Sequence, residues 1–109
     1  QRAKGLAVDF YAAVKKSPEL AKDFGLRDQV QRAAVSICSN IAEGDERDTD
    51  KDAVRFFYIA KGSVAELVTQ LEIAHEAQLI EPALAAVLIN ESEEVGAMLG
   101  GLIKSRVSS

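Results

Sequence analysis

The chain has 109 residues, one domain's worth, and its 48% hydrophobic and 28% charged content is that of an ordinary soluble globular protein that needs no disulfide or metal staple. Its formal charge of −4 supplies no global attraction to nucleic acid or to an anionic membrane, although a local basic patch is compatible with it. The single cysteine, Cys38, excludes an internal disulfide and fits a reduced, cytoplasmic setting; no leader-like segment and no long apolar run points to export or membrane spanning.

Two prolines, no Trp and abundant Ala, Leu, Val, Glu and Lys favour helix. The chain opens on Gln1 rather than Met, so a few residues upstream are expected to have been lost. From Ala3 to Lys16, Leu6, Ala7, Phe10, Ala13 and Val14 recur at helical spacing, with Lys15 and Lys16 in the last turn, where cations suit the helix dipole. Ser17-Pro18-Glu19 interrupts this first helix and allows a single turn over Glu19 to Asp23, with Gly25 as its expected left-handed stop.

The second helix is expected from about Leu26 to Glu43, stopped by Gly44, and it carries two stripes. One is apolar: Val30, Ala33, Ala34, Ile37 and Ile41. The other is polar: Arg32, Ser36, Ser39, Asn40 and Glu43, with Arg47 a turn further on. A charged turn, GDERDTD, supplies capping oxygens for the next helix.

The third helix, about Lys51 to Gln78, is the longest. Val54, Phe57, Tyr58, Val64, Leu67, Val68, Leu71, Ala74 and Gln78 mark one face, and Phe56, Ile59, Ala60, Ser63 and Ile73 a second. An apolar arc wider than a core alone requires implies burial on two sides, one in the bundle and one against a partner subunit. Pro82 opens a fourth helix to about Arg106, its inner stripe Leu84, Val87, Leu88, Glu91, Val95, Met98, Leu99 and Leu102, with a frayed tail beyond it. No strand-like alternation is present, and residues 1–109 read as one all-α domain, an antiparallel four-helix bundle.

A short turn makes the second and third helices an antiparallel hairpin. Asn40 is then level with Arg55, and Ala33 with Gly62, which makes Gly62 a place of close helix contact. Arg32, Asn40, Glu43 and Arg47 face Arg55, Ser63, Glu66 and Gln70 along one edge, with opposite charges at matching heights. Three readings are open. One is a polar seam with mutually satisfied hydrogen bonds. Another is an anion pocket using Arg32, Arg47 and Arg55, which the nearby acids oppose. The third is a catalytic carboxylate pair, Glu43 with Glu66, which the neighbouring arginines hold ionised and paired.

The run SICSNIAEG followed by Arg47, then RFFYIAKGSVAELVTQLEIA from Arg55 to Ala74, resembles the proteins encoded in intervening sequences of bacterial 23S rRNA genes. Upstream FGLRDQVQRAAVSI also matches, and the likeness covers about residues 3–80. It implies a left-handed up-down-up-down four-helix bundle, a homo-oligomer assembled as a ring-shaped pentamer, and no enzyme chemistry or cofactor. A related branch, accessory proteins of diversity-generating retroelements, binds nucleic acid. The motif carries over to Ser36, Asn40, Glu43, Gly44, Arg47, Gly62, Ser63, Glu66 and Gln70. The chain departs from its relatives in the acidic DERDTDKD loop, where they are often basic, and in Cys38, where they often have Pro. Relatives often also carry a Trp just before the first helix; this chain begins after that point.

Other chemistry has thin support. Glu72 and His75 form one Glu-x-x-His of the two that a di-metal bundle needs, and Cys38 reads as a small apolar residue. No phosphate loop, dinucleotide fingerprint or zinc spacing occurs. The reading is therefore a non-enzymatic oligomeric interaction or scaffold protein partnered by itself. The alternative is a nucleic-acid or ribonucleoprotein accessory that binds structured RNA, and a metal-dependent or small-molecule enzyme comes third.

Overall fold

In a computed structural model that describes residues 2–107, with side-chain detail from residue 3, every regular element among the described residues is helical. The helices are α1 (Arg2–Lys15), α2 (Pro18–Lys22), α3 (Phe24–Asp45), α4 (Asp50–Glu76) and α5 (Pro82–Val107). Four are long, and α2 is the single turn anticipated after Pro18. That turn has a packing role: its Leu20 is fully buried and joins the main core.

Local chemistry sets the boundaries. Asp23 caps α3, its Oδ1 accepting from the Leu26 N–H at 3.1 Å. Thr49 caps α4, its Oγ1 accepting from the Asp52 N–H at 3.2 Å, and Asp50 and Asp52 place negative charge in the positive first turn. The end of α4 is a Schellman turn. The Leu79 N–H reaches back to the Ala74 carbonyl and the Gln78 N–H to the His75 carbonyl, with Gln78 at φ 61° where glycine is the usual choice.

The two expected glycine stops do not act as stops. Gly25 lies inside the first turn of α3 because Asp23 caps that helix two residues earlier, and Gly44 is helical because α3 continues to Asp45. Neither adopts a positive φ.

Specific contacts orient the long helices. Ser36 meets Ser63 and Gly44 meets Ala53 and Phe57, so α3 and α4 run antiparallel. Gly96 lies against Val64, and Arg106 against Asp50 and the Phe57 ring, so α4 and α5 are antiparallel as well. α1 packs on α3 and α5 and closes the bundle, whose extents are 46 × 20 × 19 Å. Phe10, Ile37, Phe57, Leu67, Leu71, Leu88 and Leu99 are fully buried at its centre. Each such side chain contributes about 1.5–3 kcal/mol of apolar burial.

Two expected inner stripes need correction. Tyr58 is 57% exposed and Gln78 lies beyond the end of α4, so neither belongs to the core face of that helix. On α5 the buried positions include Ala85, Ser92 and Ile103, whereas Val87 is 53% exposed. Ser92 occupies a core position because its hydroxyl donates to the Leu88 carbonyl at 2.7 Å, which satisfies the polar group within its own helix. Among the described residues, no helix is long and apolar enough to cross a membrane.

Candidate functional site

The polar stripe of α3 meets α4 along one edge of their hairpin. Its centre is a chain of hydrogen bonds through Asn40, Ser36 and Ser63. Asn40 Nδ2 donates to the Ser36 carbonyl at 2.9 Å and to Ser36 Oγ at 3.1 Å. The two serine hydroxyls are 2.9 Å apart. Ser63 Oγ also donates to the Ile59 carbonyl at 3.3 Å. A hydroxyl has one proton, so with Ser63 donating to Ile59 it is Ser36 that donates to Ser63. The relay therefore runs one way, from the Asn40 amide to the α4 backbone, and every proton in it has an acceptor. Ser63 is 8% exposed and Ser36 and Asn40 are half-buried, so the chain closes polar groups inside the hairpin rather than offering them outward.

N-terminal to this relay on α3, the helices part into an open cleft of about 390 Å³ lined by Gln29, Arg32, Ala33, Ser36, Ser63, Glu66 and Gln70. Arg32 and Glu66 share this cleft but form no ion pair with each other. Gln70 is half-buried, and its Oε1 is buried without a hydrogen-bond partner. The Arg32 face of α3 also borders a second open cleft toward α1, lined by Tyr11, Asp28, Gln31, Arg32, Val35 and Ser36.

At the other end of the stripe the charges resolve locally, between the last turn of α3 and the turn that follows it. Arg47 Nη2 donates to Glu43 Oε2 at 2.7 Å and Arg47 Nε to the Glu43 carbonyl at 3.0 Å. The Arg47 guanidinium also sits 5.0 Å from the Phe56 ring centroid, and Arg55 approaches the same ring at 5.0 Å. The nine singled-out residues thus divide into three groups: a closed relay (Ser36, Asn40, Ser63), an open cleft (Arg32, Glu66, Gln70) and an arginine–phenyl cluster (Glu43, Arg47, Arg55).

The expected register is off by about one helical turn, since Ser36 rather than Ala33 comes level with the Gly62–Ser63 step. Gly62 is exposed for a separate reason, since it precedes buried Ser63 and so points about 100° away from it round the helix, and a Cβ placed on it would meet nothing within 4 Å. The close approach falls at Gly44 instead. A Cβ there would lie 2.5 Å from Phe57 Cε1 and 3.1 Å from the Ala53 carbonyl oxygen, so a side chain at this position would displace a buried ring.

Other candidates are dispersed. His75 is exposed in the last turn of α4, in a cleft with Lys16, Glu19, Glu76 and Glu81, and Cys38 is half-buried on α3. Among the described residues, no three of His, Cys, Asp or Glu gather closely enough to hold a metal ion. The motif residues also gave no hint of a cleft on the opposite edge of α4, lined by Tyr58, Lys61, Gly100, Ile103, Lys104 and Val107. Its signal in the sequence is an absence: neither Ala53–Ala65 nor Val95–Val107 contains an Asp or Glu.

A family model described as 23S rRNA-intervening sequence protein matches residues 1–101. The fold is similar to that of a protein of unknown function from the S23 ribosomal protein family of Bacteroides thetaiotaomicron, known from its crystal structure. The TM-score is 0.83 at 23% identity, over 94% of this chain and 95% of that one. At that identity the likeness concerns the fold. No curated protein sequence matches the chain.

Proposed function

The chain belongs to the 23S rRNA-intervening sequence protein family, and from that premise we propose that it is a non-enzymatic, cytoplasmic interaction protein whose bundles associate with one another into a ring. The observation that carries this reading is the outward face of α4. Ile59 and Ile73 are 47% and 49% exposed there, on the same side of the helix as Glu66 and the open polar cleft. Bulky β-branched side chains left in water on either side of a polar centre suit an interface core more than a solvated helix face. Val35, exposed on α3, extends the apolar surface beyond Arg32. A contact between two different faces of neighbouring copies closes into a ring when the rotation permits it, which is the geometry the family resemblance implies.

Sedimentation velocity and native mass spectrometry test this directly. The expected result is a single closed oligomer at micromolar concentration. Ile59→Glu with Ile73→Glu should reduce its mass while the helical circular dichroism stays unchanged. A wild-type protein that remains a stable monomer would remove the proposal. A second reading, an accessory protein that binds RNA, draws on one specific observation: the acid-free cleft between α4 and α5.

A further inference from the structure

The outward face of the first half of α4, where it turns toward α5, differs electrostatically from the rest of the molecule. Lys51, Arg55, Tyr58 and Lys61 are four, three and three residues apart and fall on one side of the helix. At about 1.5 Å per residue they span roughly 15 Å. Lys104 of α5 joins Tyr58 and Lys61 in lining one cleft, and Arg55 and Lys51 continue the series about one and two turns further along α4. All four cations are exposed, and none enters an ion pair among the described residues; Arg55 makes only its contact with the Phe56 ring. Two acids flank Lys51 at the start of α4, Asp50, which is paired with Arg106 at 3.2 Å, and Asp52, and none follows on α4 until Glu66. The cleft itself is open: a Cβ on Gly100, one of its lining residues, would meet nothing within 4 Å. A protein of formal charge −4 thus gathers unpaired positive charge on one surface.

We propose that this surface binds single-stranded nucleic acid, with Lys51, Arg55, Lys61 and Lys104 along the phosphodiester backbone and Tyr58 as the platform on which a base stacks. Cations alone would serve an acidic protein segment equally well. What selects nucleic acid is the ring among them. A tyrosine that is 57% exposed between lysines matches the combination of stacking platform and electrostatic track by which proteins hold single strands. The lining residues offer few directional groups for reading base edges, so binding follows backbone charge and stacking and is tolerant of sequence. This site rests on the second reading and gives it a place and a ligand class; it adjoins the self-association face, since Ile59 follows Tyr58 and lies one turn from Arg55, but every residue it uses belongs to one chain.

The experiment is fluorescence anisotropy with a labelled oligouridylate at ~50 mM salt. The wild type should bind with an affinity that falls steeply as salt rises. Lys61→Glu with Lys104→Glu should weaken binding at least about tenfold and reduce the salt slope by about 1.4, two single-strand phosphate contacts at ~0.7 each. Tyr58→Ala should weaken binding by about tenfold with the slope retained, and Tyr58→Phe should restore it. Lys15→Glu with Lys16→Glu, at the end of α1, serves as the control for general charge and should leave binding within about twofold. Circular dichroism confirms that each variant is folded. No binding by the folded wild type overturns the proposal, as does an equal loss in the α1 control. Oligoglutamate competing as well as oligouridylate, with Tyr58→Ala unaffected, would reassign the surface to acidic protein segments.

Discussion

The two edges of α4 have opposite characters. Toward α3 the helix is closed from the Ser36–Ser63 pair to Gly44: Ser63 receives a hydrogen bond from Ser36 and Phe57 fills the space over Gly44, and the helices part only beyond that pair, around Glu66 and Gln70. Toward the α5 side it is open around Gly100 and bordered by lysines without acidic partners. The edge with the more patterned polar residues is thus the more self-satisfied one. Ordered polar spacing on a helix marks groups that need partners, and in a hairpin the neighbouring helix is the nearest source of them. Surface left for an external ligand is found where charge has no such neighbour.

The strongest test of the closed edge is Gly44→Ala. The added methyl overlaps the Phe57 ring and approaches the Ala53 carbonyl, both held by the buried core. Overpacking of this kind costs about 1–3 kcal/mol, and the gain in helix propensity returns about 1. With a contact this short the overpacking falls at the upper end, and a net loss of about 2 kcal/mol is expected, a drop in Tm on the order of 10 °C by thermal unfolding. Phe57→Leu in the same chain should recover part of the loss, so the two changes together cost less than their sum. An unchanged Tm for Gly44→Ala would mean the edge yields and is not closed in the sense described.

Next in size is the serine pair. Ser63→Ala removes the acceptor of the Ser36 hydroxyl and should cost about 1 kcal/mol in urea unfolding. Ser36→Ala leaves Asn40 its bond to the Ser36 carbonyl and should cost a similar amount or less. Replacing both serines should cost clearly less than the two single losses added, because no hydroxyl is then left without its partner. Strict additivity would show that the relay does not couple the helices.

Much of this edge was legible in the sequence, and its limits have physical causes. Periodicity located the long helices and the apolar stripe of α3, because burial imposes a period of 3.6 whatever the neighbours are. It failed on Tyr58 because a wide apolar arc has two boundaries and the pattern alone does not say which one the core covers. The hairpin register slipped by a turn because loop length fixes antiparallel order but not the axial offset, which Phe57 sets by packing over Gly44. Gly44 and Gly25 look like stops in the sequence because glycine is the usual helix terminator, whereas Gln78, which does take the left-handed position, belongs to a residue type that gives no such signal. The lysine-bordered cleft had no motif at all and shows only as two stretches without acid.

A smaller effect of opposite sign is expected at Gly62, which lies mid-helix in open space. Gly62→Ala should stabilise by about 0.5–1 kcal/mol, since the methyl meets nothing and the unfolded chain loses freedom. Destabilisation in a variant that self-associates would place Gly62 in the contact between copies, so the measurement is made both below and above the association concentration.

The smallest effect belongs to the α4–α5 contact, and its sign depends on one side chain. A Cβ on Gly96 would lie 3.3 Å from Val64 Cγ1, tight but short of overlap. Propensity favours Gly96→Ala by about 1 kcal/mol. Val64 opposes it, because a β-branched residue in a helix has essentially one χ1 rotamer and cannot swing its methyl aside. The two terms nearly cancel, and a change within about 0.5 kcal/mol is expected. Val64→Ala removes the obstructing methyl at its own cavity cost. In that background Gly96→Ala should stabilise by the full propensity gain and part of the lost packing. If Gly96→Ala is as damaging as Gly44→Ala, the α5 edge is as closed as the α3 edge, and the contrast between the two edges is lost.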